Sequence, residues 1–167
     1  MKHFFSWTIL YLMFFMSCNL AAQSIQKSGN IISTENQEQI KIAANYFECL
    51  FKTGNFEAMS KIIAKDAVYS QAEGLPYGGT YIGFDQIMGM FRKAQTFFDL
   101  QIVGEPNYFV GNNNNEVIIY FTIKCRSKKS GKEITMPISE YFNIKNGQIH
   151  AIRPFYFDTK GFVAFLN

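Results

Sequence analysis

Few side chains in this sequence could move a proton between apolar surroundings, and three stand out: His150, Glu140 and Glu73. An imidazole titrates at about 6.5, which suits general acid and base work at neutral pH. As a strand residue His150 shares a face with Ile152, Pro154 and Tyr156, although its closeness to Asn146-Gly147 equally suits an exposed or structural histidine. Glu140 lies between Ile138 and Phe142, and strict alternation groups it with both and with Ile144 on an apolar face. Glu73 precedes a glycine-rich stretch and is expected to be solvated. Catalysis of this kind needs a buried titratable group with a shifted pKa. With only two histidines and no zinc-type spacing, no metal and no cofactor are expected. Beyond Cys18 only Cys49 and Cys125 remain; two buried free thiols are the expected state, although an exported chain could pair them.

The elements that would hold these groups follow from periodicity. A helix is expected over 36–53, with Thr34 and Gln37 at capping-box spacing, Ile40, Ala43, Ala44, Phe47, Leu50 and Phe51 on one face, and Gly54 as its stop. Asn55 caps a short second helix through Ala64, and Asp66 to Tyr69 begins a strand. The glycines from Gly74 to Gly83 imply a loop with a brief extended piece, and a third helix runs from Asp85 to Phe98. The rest is β. Leu100 to Val110 is a strand bent near Gly104 and Pro106. Glu116 to Arg126 alternates, with Val117, Ile119, Phe121, Ile123 and Cys125 on one face. Glu133 to Ile144 follows, and Asn146-Gly147 turns the chain into Gln148 to Asp158. Residues 159–167 form a short tail that can continue as helix. Helices followed by a meander predict one α+β domain.

Composition narrows the function classes. At 48% hydrophobic and 17% aromatic residues, the 167-residue chain can bury a real core, so disorder of the main body is excluded. A net charge of +3 is too small for a nucleic-acid groove. Lys124, Arg126, Lys128, Lys129 and Lys132 cluster, as a solvated strand end and its turn would. Lys2 and His3 followed by the apolar run Phe4 to Met16 have the form of an export signal, too short to span a bilayer comfortably. Cleavage after the small residues Ala21-Ala22 gives a signal peptide over 1–23, a flexible leader over 24–35 and a domain over 36–167. The alternative is a lipoprotein signal ending before Cys18, and only then would the protein meet a membrane. The expected location is secreted or periplasmic, with a membrane-anchored lipoprotein as the alternative.

The order of elements, together with Asp66-Ala67-Val68, Gly83-Phe84-Asp85-Gln86-Ile87, Met136-Pro137-Ile138-Ser139, Asn146-Gly147-Gln148-Ile149 and Tyr156-Phe157-Asp158, resembles the SnoaL-like and ketosteroid-isomerase-like proteins of the nuclear-transport-factor-2-like superfamily. The resemblance covers about residues 36–165. It implies a cone: a curved antiparallel sheet wrapped around three N-terminal helices. Ketosteroid isomerase, a worked example of tuned acids, uses an Asp base with a Tyr and a protonated Asp as oxyanion donors. On that pattern the base position falls on Gln71, the Tyr position on Phe47, the buried Asp position on Ser139, and a supporting Tyr position on Phe91. A slip of one residue would restore Tyr46 but not the other two. Steroid isomerisation by that route is therefore not expected.

The same placement puts Phe121, Ile123, Tyr141, Ile152 and Tyr156 on the concave face, with Gln71, Ser139 and His150 as polar groups. It conflicts with plain alternation on one strand, where Glu140 rather than Ser139 would face inward; a bulge or a dimer interface would reconcile the two. The expected function is binding of a small hydrophobic molecule in an apolar pocket. The alternatives are an isomerase, lyase or hydrolase using acid/base chemistry, or an interaction module using the outer sheet face. A homodimer is expected, with Tyr120, Glu140, Phe142, Arg153 and Phe155 contributing.

Overall fold

The computed structural model describes residues 34–167, so the expected signal peptide, Cys18 and nearly all of the leader lie outside the described residues. Helix α1, Thr34–Glu48, runs into a π-helical turn, Cys49–Thr53, which Gly54 ends at φ 65°. A single regular helix was the expectation here; the wider turn instead carries Leu50, Phe51 and Lys52 to the cavity described below. Asn55 caps α2, Phe56–Ile62, its Oδ1 accepting from the Ala58 N–H at 3.0 Å. The helix stops two residues earlier than Ala64 because Ile63 already pairs with Ile149, opening β1, Ile63–Gln71. β2, Gly79–Ile82, is the brief extended piece.

Helix α3, Gly83–Ala94, needs its glycine: φ is +75°, and a Cβ there would lie 2.8 Å from the Lys65 carbonyl oxygen. Four long strands follow: β3, Phe98–Val110; β4, Glu116–Ser127; β5, Glu133–Lys145; and β6, Gln148–Tyr156. Asn146 and Gly147 both take positive φ, as a two-residue hairpin matched to strand twist requires. Helix α4, Thr159–Leu166, closes the chain, capped by Asp158.

The six strands form one sheet in the order β2-β1-β6-β5-β4-β3. Neighbours are antiparallel except β1 and β6, which run parallel. Two irregularities shape it. The β3–β4 register shifts between Val103 and Asn107, around Gly104 at φ +75°, so β3 bends where the sequence implied. On β6, Ile149 pairs with Ile144 and Ala151 with Asn143, which leaves His150 as an extra, bulged residue.

The core lies between the concave sheet face and helices α1 and α3. Val117, Ile119, Phe121, Ile123 and Cys125 are all buried, as alternation requires. Tyr46, on the buried side of α1, packs edge-on against Phe142 at 5.1 Å. Cys49 and Cys125 are buried and free.

The β5 conflict is resolved by the ladder. β4 and β5 pair without interruption from Glu116↔Asn143 to Arg126↔Glu133, so directly opposed residues share a face. Glu140 opposes buried Ile119, and Ser139 opposes exposed Tyr120. Glu140 therefore points inward with Ile138 and Phe142, whereas Ser139 and Tyr141 point outward. The placement of Ser139 and Tyr141 in the pocket is corrected accordingly: a one-residue slip moves every side chain of a strand to the opposite face. For the same reason Glu140 and Phe142 cannot contribute to an interface on the outer face.

Candidate functional site

The cone encloses a cavity of about 970 Å³, near the upper end of the range usual for small-molecule sites. Its apolar wall includes Leu50, Phe51, Met90, Phe91, Phe121, Ile123 and Ile138. Phe121 is held by two aromatic neighbours, Phe47 at 5.0 Å and Phe51 at 5.8 Å. Charged groups line the mouth: Lys52 lies 3.7 Å from Glu105, and Lys128 lies 3.3 Å from Asp99. All four are substantially exposed.

Polar groups in the depth form two clusters. In the first, Glu140 is 3% exposed and Tyr69 donates its hydroxyl hydrogen to Glu140 Oε1 at 3.2 Å. Glu140 Oε2 is buried with no hydrogen-bond partner, and no cation pairs with the carboxyl among the described residues. Desolvation is the dominant influence and pushes the Glu140 pKa up to about 8, with the Tyr69 hydrogen bond pulling the other way. Burial thus favours the neutral form of Glu140 at neutral pH. Burial, and then the nearby Glu140 carboxyl, hold the hydroxyls of Tyr46 and Tyr69 well above the usual tyrosine range. Tyr46 Oη is likewise buried without a partner.

In the second cluster, Gln71 Oε1 accepts from the Ala72 N–H at 3.0 Å, and Nε2 donates to Tyr156 Oη at 3.3 Å. Tyr156 Oη lies 3.4 Å from Tyr77 Oη. Desolvation first raises both hydroxyls, Tyr156 to about 12. The Tyr156 ring is fixed by stacking on Phe162 of α4 at 5.0 Å, so the C-terminal helix positions a cavity residue.

Gln71, Phe91, Phe121, Ile123, Glu140 and Tyr156 are brought together around this cavity. Phe47 and Ile152 are buried behind its wall. Ser139 and Tyr141 lie on the other face, where the Tyr141 hydroxyl donates to Glu116 at 2.9 Å. His150 is half-exposed on its bulge with Nδ1 3.8 Å from Asp66, away from the cavity; the bulge breaks the alternation that grouped it with Ile152. Glu73 is exposed in the turn after β1. Reasoning from sequence missed Tyr69 and Tyr77. Tyr69 alternates with Ala67 and Gln71, a signal that was present; Tyr77 sits among glycines and Pro76, where no periodicity operates.

The sequence matches the family model described as SnoaL-like domain over residues 43–152. No curated protein matches it. Among solved structures, the fold is similar to that of a nuclear-transport-factor-2-like protein from Burkholderia xenovorans LB400 (TM-score 0.70, 17% identity, 78% of this chain and 97% of that one). It is also similar to a protein from Xanthomonas campestris pv. campestris provisionally named a polyketide cyclase (TM-score 0.67, 16% identity, 80% and 100% of the two chains). A third is TerC, co-crystallised with polyporic acid (TM-score 0.67, 15% identity, 77% and 98%).

Proposed function

Because this chain belongs to the family of SnoaL-like domains, we propose that it binds a small hydrophobic molecule inside the cone. The observation that carries the reading is the cavity of about 970 Å³, walled by aromatic and aliphatic side chains with a few buried polar groups. A structural neighbour, TerC, was co-crystallised with polyporic acid, which agrees with such a use of the fold. Titration with aminoanthracene, a neutral fluorescent probe, is expected to saturate at one molecule per chain. A linear, unsaturable signal would remove the reading.

One observation favours a second reading, an isomerase, lyase or hydrolase acting by acid/base chemistry. Glu140 is among the residues lining the cavity, and burial pushes its pKa up to about 8, so a substrate that reaches the carboxyl could exchange a proton with it near neutral pH. His150 and Glu73 have no role in this reading, since neither lines the cavity. Gln71 and Phe47 at the base and Tyr positions argue against steroid isomerisation, and an assay with an unconjugated steroid ketone is expected to show no turnover.

Two further proposals concern context. The sequence supports export, tested by mass spectrometry of the mature native protein: loss of the leader is expected, and a diacylglyceryl mass on Cys18 would indicate the lipoprotein route. The exposed outer-face residues Tyr120, Arg153 and Phe155 support a homodimer. Sedimentation at micromolar concentration is expected to give twice the chain mass.

A further inference from the structure

The cavity opens past one edge of the sheet. Phe98, Asp99, Leu100, Gln101 and Ile102 line it one after another. Successive side chains of a strand point to opposite faces, so an inner face alone supplies every second residue. The unbroken run therefore means that the cavity reaches around the edge of β3. β3 is the end strand of the sheet, and among the described residues no strand pairs with its other edge. The opposite lip of the opening is the π-helical turn, which contributes Leu50, Phe51 and Lys52.

Both lips depart from regular structure at the same place. Between the pairs Val103↔Thr122 and Asn107↔Tyr120, the residues Gly104, Glu105 and Pro106 stand opposite Phe121 alone, so β3 bulges there. The π-helical turn meets this bulge: Phe51 lies 5.8 Å from Phe121, and Lys52 Nζ lies 3.7 Å from Glu105 Oε2. Gly54 ends the turn at φ 65°, and Gly104 sits in the bulge at φ 75°. A Cβ at either position would meet nothing within 4 Å, so both glycines serve backbone conformation rather than space. The neighbouring wall is tied down, since β4 pairs with β5 without interruption. The lip is tied across the opening by an ion pair whose side chains are 51% and 86% exposed, and such a pair holds weakly.

We propose that ligand enters and leaves past the free edge of β3, through a gate whose moving lip is the π-helical turn Cys49–Thr53, closed by Phe51 on Phe121 and latched by Lys52 and Glu105. This rests on the binding reading above and adds how the same cavity is entered. A latch acts on passage in both directions, so its loss raises association and dissociation together. Loss of a side chain that merely contacts the ligand acts chiefly on dissociation.

The test is the exchange rate of aminoanthracene, measured by stopped flow. Lys52→Cys and Glu105→Cys are combined in the full chain with Cys18→Ser and joined by a short bismaleimide; Cys49 and Cys125 are buried and so shielded from the reagent. Probe loaded before cross-linking is expected to leave about tenfold more slowly, or slower still, than from the same chain without the cross-link. Lys52→Glu sets like charges across the opening and is expected to raise both rates roughly threefold. Adding Glu105→Lys restores opposite charges and the wild-type rates. Lys124→Glu breaks an exposed pair away from the cavity and is expected to change neither rate. Unchanged exchange after cross-linking, or a Lys52→Glu variant in which dissociation alone or neither rate rises, overturns the gate and leaves the binding reading standing. No saturable uptake of aminoanthracene by the wild type removes both.

Discussion

The two faces of the β3–β6 sheet are built from similar residues and do opposite things. Both are rich in aromatic and β-branched side chains, set on alternate positions of the same strands. On the outer face Ile118, Tyr120 and Phe155 are exposed, and the polar group among them, Tyr141, bonds to Glu116 beside solvent. On the inner face Phe121, Ile138 and Phe142 are buried, and the one carboxyl among them is shared with a tyrosine and otherwise unpaired. Hydrophobicity alone therefore does not mark the site. What separates the faces is the state of the polar groups: satisfied or solvated outside, desolvated and incompletely paired inside.

The largest expected effect tests the desolvation of Glu140. Its folded pKa of about 8 lies above the ordinary value of 4.5. Between those values the native state keeps a proton that the unfolded chain releases, so stability is full below the lower value and is lost as pH rises through the higher. The loss from about pH 5 to about pH 9 is on the order of 4 kcal/mol. Denaturant melts across that range should show it, and Glu140→Gln should abolish this fall and be the more stable protein at the alkaline end. A Glu140→Gln variant with the wild-type slope would show that the carboxyl is solvated and the faces are electrostatically alike.

Truncation compares the faces directly. Phe142→Ala should cost about 3–5 kcal/mol as a core cavity, whereas Phe155→Ala should change monomer stability by less than about 0.5 kcal/mol. The latter should instead weaken the proposed dimer, as read by sedimentation. Equal costs in denaturant melts would mean that both faces are packed. Disrupting the outer ion pair Lys124–Glu133, at 2.8 Å and half-exposed, should move stability by less than about 1 kcal/mol, the smallest effect of the series.

Much of this was legible in the sequence. Strands β4 and β5 and the Asn146-Gly147 hairpin follow from period-two alternation and turn chemistry, because burial of one face forces both. The inward position of Glu140 was legible for the same reason, and alternation gave it where a family pattern misplaced Ser139 by one residue. His150 was misjudged because a bulge depends on the pairing of two strands, which one strand's pattern does not encode. Tyr77 was invisible because it reaches the cavity from a loop, and its hydrogen-bond partners, Tyr156 and through it Gln71, come from strands distant in sequence. In the π-helical turn at Cys49, Phe51 lies 5.8 Å from Phe121 of β4, a contact distant in sequence that local propensity does not encode.

The central claim, that the inner face encloses a ligand site rather than a filled core, is tested most directly by Phe121→Trp. Aminoanthracene uptake and thermal melting are measured on the same wild-type and variant samples. A ligand cavity has room for the larger ring, so uptake should weaken roughly tenfold or more while the melting temperature stays within about 3 °C. If the wild type takes up no probe and the variant loses about 1–3 kcal/mol, as overpacking a filled core requires, the inner face is core and the claim is wrong.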